Sequence, residues 1–169
     1  MHPHRLAILA ASIAASGIAG IALAADPPVL KAGHWEVWRV TAQQPDKKHL
    51  TTMCLDDSVQ AEMREFGMGI AKEMCSQNDR RAEGNRMIIT ATCNLGPTTM
   101  KTRSVMTFNG NSSYHTESTA TYDPPLMNVT ESSSRIDGKW TGPCKPGQQP
   151  GDITTETGQT INMKGIIKK

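Results

Sequence analysis

Cys75 and Cys93 each lie nine residues from Gly84, and Glu83-Gly84-Asn85 between them reads as a turn. Folding this segment into a hairpin sets the two sulfurs opposite one another on neighbouring strands. A bridge there would constrain strand pairing, register and turn together. The chain has four cysteines, and four allow three connectivities. Pairing Cys75 with Cys93 leaves Cys54 with Cys144. In the loop-entropy account the shorter bridge contributes about 3 kcal/mol and the longer about 4–5 kcal/mol. The zinc alternative fails on spacing: there is no C-x-x-C, and His34, His49 and His115 do not fall at ligand-pair intervals.

Disulfides need an oxidising compartment, and the N-terminus supplies a route to one. Residues 1–24 read as a signal peptide. Arg5 gives a basic start, and residues 6–23 are apolar apart from two serines and two glycines. Ala22-Leu23-Ala24 then offers the small-x-small pattern of a cleavage site, followed at once by Asp26-Pro27-Pro28. A membrane anchor is the competing reading, since the apolar run approaches the minimum span of about 18 residues; the cleavage pattern argues against it. No cysteine precedes Cys54, so none is placed to carry an N-terminal lipid. The expectation is a periplasmic protein cut after Ala24. The remaining residues suit one domain. Loss of Arg5 takes the formal charge from +2 to +1, which steers the chain toward neither nucleic acid nor an anionic membrane.

Residues 34–41 form a strand by their aromatic and β-branched content. Trp35, Val37 and Arg39 share one face; His34, Glu36, Trp38 and Val40 share the other. A Trp on each face implies that both faces are at least partly covered. Trp35, Trp38 and Trp140 are therefore the candidate core or ligand contacts. Gln44-Pro45-Asp46-Lys47 reads as a turn before a returning strand. A short helix is expected over residues 57–66, with Asp57 as N-cap and Gln60 as its capping-box partner. Val59, Met63 and Phe66 recur at helical spacing, and Gly67 and Gly69 end the pattern. From Arg86 the period becomes two, with Met87, Ile89, Ala91 and Cys93 on one side. Further strands follow over residues 100–108, 113–122 and 126–136, separated by Asn109-Gly110-Asn111 and by Asp123-Pro124-Pro125. Asp137-Gly138 reads as a turn into Trp140. Residues 145–169 form a tail that is either disordered or an added edge strand. The fold class is mainly β: an antiparallel meander forming a curved sheet or half-open barrel, with one short helix and two disulfides. Only 4% of the chain is aromatic. Such Thr- and Ser-rich strands bury little each, so the disulfides should carry a large share of stability.

The succession Gly33-x-Trp35-Glu36-Val37, Cys54-Leu55, Cys75 and Cys93 around a Gly-Asn turn, Thr/Ser-rich hairpins, then Gly138 and a closing Cys144 resembles domain-of-unknown-function family 3617 over residues 30–144. The resemblance implies a small exported bacterial envelope protein, mostly antiparallel β, and brings no activity with it. This chain departs from the pattern in lacking a Met-Pro-Gly-rich segment between the first two strands and in extending past Cys144.

No G-x-S-x-G or H-E-x-x-H is present. Asp56-Asp57 looks like a carboxylate pair, but a helix N-terminus favours acids electrostatically without any catalysis. Gly67-x-Gly69 lacks both a leading strand and a third glycine, which a nucleotide loop would need. The methionines raise Cu(I) handling, since thioethers suit a soft ion, yet they are dispersed along the chain and read better as core filling. Asn111-Ser112-Ser113 and Asn128-Val129-Thr130 match the glycosylation sequon by coincidence. The expectation is a protein that is not an enzyme, with no cofactor and no metal. Two partner classes fit: a small apolar molecule or lipid held by the sheet, or another envelope protein met through a sheet face or edge. Nucleic acid is not among them.

Overall fold

Nine strands form among the described residues, all antiparallel and in one open sheet. The computed structural model describes residues 27–167; the signal peptide expected over residues 1–24 lies outside them. The elements are β1 (Gly33–Thr41), β2 (Gln44–Leu55), α1 (Asp57–Met74), β3 (Cys75–Glu83), β4 (Arg86–Leu95), β5 (Thr98–Asn109), β6 (Ser113–Leu126), β7 (Val129–Gly142), β8 (Asp152–Thr155), β9 (Thr160–Asn162) and α2 (Lys164–Ile167). Their order across the sheet is β3-β4-β5-β6-β7-β1-β2-β8-β9. The described chain thus begins in mid-sheet with β1 and β2. It crosses to one edge through α1 and meanders back until β7 pairs with β1.

The structure joins Cys75 to Cys93 and Cys54 to Cys144, which fits an oxidising, non-cytoplasmic compartment. The first bridge depends on a register adjustment. Gly84-Asn85 forms the turn, with Glu83 opposite Arg86 and Gln77 opposite Thr92. Continued unchanged, that register would set Ser76 against Cys93. A bulge between Cys75 and Gln77 brings Cys75 opposite Cys93 instead.

Directly paired residues of antiparallel strands point to one face. The inner face accordingly carries Trp140, Trp35 and Met53 in one row, and Phe108, Tyr114, Gly138 and Val37 in another. Trp35 is 0% exposed and forms the core with Leu55 and Val59. Leu30, Met53, Met63, Tyr114 and Trp140 pack around them. The Trp35 ring stacks on Tyr114 at 5.8 Å between centroids, and its Nε1 donates to the Lys31 carbonyl at 2.9 Å.

Several local expectations are corrected. The N-cap is Asp56, not Asp57: its carboxylate accepts from the Val59 N–H at 2.7 Å and from the Ser58 hydroxyl at 2.9 Å. Gln60 does not complete a capping box. Its amide accepts from the Leu30 N–H and donates to the Leu30 carbonyl, tying the leading segment to the helix. Gly67 and Gly69 do not end α1, which runs 18 residues to Met74. Good helix formers in Ala71, Lys72, Glu73 and Met74 follow the glycines, and Cys75 anchors the end. Gln44-Pro45-Asp46-Lys47 opens β2 rather than forming a turn. Residues 123–126 continue β6. Asp137-Gly138 is strand within β7, because the Tyr114 ring lies over Gly138 and fills the place of its missing side chain. Of the two states open to the tail, the edge strand holds: β8 pairs with β2, and β9 with β8.

Candidate functional site

Helix α1 is held mainly at its ends. Cys54, two residues ahead of the N-cap, bonds to Cys144; Cys75, the C-cap residue, bonds to Cys93. Within α1 itself only Val59 is buried. The helix therefore roofs the inner face without filling the space beneath it. That space is a cleft of about 390 Å³, walled by Leu30, Met53, Leu55, Met63, Met87, Ile89, Met106, Phe108 and Tyr114, with Pro27 and Pro28 at one side. Its polar and small lining residues are Gln60, Arg64, Gly67 and Arg80.

The geometry of each element explains this set. At 100° per residue, Gln60, Met63, Arg64 and Gly67 share one helix flank. On the sheet, Arg80 is paired with Ile89 and Ala82 with Met87, so Arg80 faces inward beside two cleft residues. Arg81 takes the opposite face and pairs with Glu83 at 3.1 Å. Arg64 and Arg80 are half-buried and, among the described residues, are the only charged ones lining the cleft. Among the described residues neither guanidinium meets an ion-pair or hydrogen-bond partner. Burial raises the Tyr114 pKa above 10.0, so its hydroxyl stays neutral at physiological pH.

Gly67 is telling for a second reason. A glycine inside a helix costs about 1 kcal/mol relative to alanine. No close packing demands it here, because an added Cβ would meet nothing within 4 Å. Gly67 is exposed and sits at the rim of the cleft.

None of the three tryptophans lines the cleft. Trp35 lies in the core behind it. Trp140 packs half-buried at the core margin, with the Lys31 ammonium 3.6 Å from its ring centroid and its Nε1 donating to the Ala32 carbonyl. Trp38 is on the other face of the sheet, between Leu50 and Asp137, in a shallow depression with His115 and Lys139. Conversely, the sequence reading missed the cleft itself. Its four methionines, Met53, Met63, Met87 and Met106, are far apart in the chain. The periodic signals that could have found them were the Gln60/Met63/Arg64/Gly67 helix flank and the parity of Arg80 with Cys93 across the hairpin.

No curated protein and no solved structure matches the chain. A family described as a protein of unknown function, DUF3617, matches residues 30–144. The match spans β1 to Cys144, and so includes both disulfides, helix α1 and every cleft residue except Pro27 and Pro28. The chain thus belongs to DUF3617, a family of proteins of unknown function.

Proposed function

We propose that this is an exported, non-enzymatic protein that holds a small apolar ligand or lipid chain in the cleft beneath α1. It acts in the periplasm after removal of residues 1–24. The observation that carries the reading is the cleft: about 390 Å³ of largely apolar space, within the size range of small-molecule sites. Unfilled apolar space forfeits packing contacts in a domain whose core is already thin. Methionine walls suit ligands of variable shape, because the thioether chain is flexible and polarizable.

Native mass spectrometry of protein purified from its own envelope tests this reading. The expected result is a chain beginning at residue 25 with added small-molecule mass, and reduction of that mass in Gly67→Phe, which places a large ring at a residue lining the cleft. Consistently bare protein would count against ligand binding. A second reading, docking to another envelope protein, draws on the later half of α1. There Phe66 is 39% exposed, Met68 41%, Ile70 41% and Met74 38%. A protein partner retained with no small-molecule mass would favour it.

A further inference from the structure

The charges around the cleft constrain what that ligand carries. Arg64 reaches the cleft from α1 and Arg80 from β3, so two separate elements bring an arginine to one apolar space. Neither can be neutralised by its local neighbours. The helix positions three and four residues from Arg64 are Gln60, Ala61, Gly67 and Met68, none acidic. On its face of β3, Arg80 is flanked by Asn78 and Ala82 and stands opposite Ile89. Among the described residues no carboxylate lines the cleft.

Resting on the apolar-ligand reading above, we infer that the cleft takes a single-chain carboxylate amphiphile, its acid group bound by Arg64 and Arg80 and its chain by the Met63, Met87 and Met106 walls. Two half-buried cations facing one space repel each other and lose hydration; an anion relieves both penalties. The guanidinium fork matches a carboxylate through paired N–H donors. An inward-facing charge on an edge strand also deters unwanted strand pairing. That accounts for Arg80 alone, and not for a second arginine arriving from the helix.

The test compares decanoate, decanol and decyltrimethylammonium by calorimetric titration into the oxidised protein, each below its micelle concentration. Decanoate should bind at least tenfold more tightly than decanol, the scale of a charge-assisted hydrogen bond. The Arg64→Gln/Arg80→Gln double variant should bring decanoate to the affinity of decanol and leave decanol unchanged. Since neither arginine has a partner among the described residues to orphan, the fold should survive, and thermal melting checks it. If the double variant does not fold, the comparison in the unmodified protein decides alone. Equal affinity for decanoate and decanol, or preference for the cation, overturns the inference and leaves the apolar cleft standing. Failure of all three to bind overturns both readings. Undiminished decanoate binding to Gly67→Phe would place the ligand elsewhere and overturn the inference.

Discussion

Tyr114 meets three demands at once: its ring stacks on Trp35, covers Gly138 and walls the cleft. Removing Trp35 takes away the support of that ring and the centre of the core. Trp35→Ala should cost about 3–5 kcal/mol in urea unfolding. Trp38→Ala, on the half-exposed outer face, should cost about 1 kcal/mol or less. Comparable losses for the two would contradict the placement of the core on one face. Also on the outer face, the His115 imidazole lies 2.7 Å from Asp137 and 3.6 Å from Glu117. The hydrogen bond to Asp137, with Glu117 adding to it, raises the His115 pKa above 6.5. Any stabilisation from this pairing is complete below about pH 6.5 and is lost as pH rises through the higher folded value. The ring is substantially exposed, so solvent screening keeps the effect small. An imidazole proton titration by NMR should give a midpoint above 6.5, falling in Asp137→Asn. A midpoint indifferent to that substitution would rule the pairing out in solution.

Helix α1 shows how an element can be legible in type and misread in extent. The Val59, Met63 and Phe66 spacing marks a helix on residue pattern alone. The cap lies one residue earlier than expected because two adjacent acids both suit the position, and only the backbone decides which accepts the Val59 N–H. That hydrogen bond, with help from Ser58 and Lys164, lowers the Asp56 pKa below 3.8. Asp56→Ala should cost about 1 kcal/mol near neutral pH. The gap between variant and wild type should close on acidification, since the contribution is present above the ordinary carboxyl value and is lost as pH falls through the lowered one. Chemical denaturation at neutral and acid pH would show it; a gap that persists at low pH would remove the charged cap from the account. The far end was misjudged because local propensity reads Gly67 and Gly69 as a stop. A combined cost of about 2 kcal/mol is outweighed once Cys75 is fastened to Cys93.

For the whole molecule, the two disulfides stand in for a large core. The buried hydrophobic set among the described residues includes two of the half-cystines, Cys54 and Cys93, alongside Trp35, Leu55, Val59, Met87, Ile88 and Phe108. Both bridges also hold the helix that roofs the cleft. Reduction should therefore lower the melting temperature by at least several degrees and, on the proposed function, weaken ligand binding as the helix is released. A fully reduced protein with an unchanged melting curve would show that the small core suffices. The antiparallel β class, the disulfide pairing and the place of α1 were readable along the chain, because period-two alternation, turn residues and cysteine symmetry are local or nearly local signals. The extension of β7 through Gly138 was not, because the ring that makes glycine suitable there comes from Tyr114 on another strand. The cleft was not readable either. Its methionines and arginines belong to elements separated in sequence, and nothing local records that a helix tied at both ends will stand off from the sheet it covers. Local pattern determined which segments became strands and helix; only tertiary packing decided which side chains would share an unfilled space.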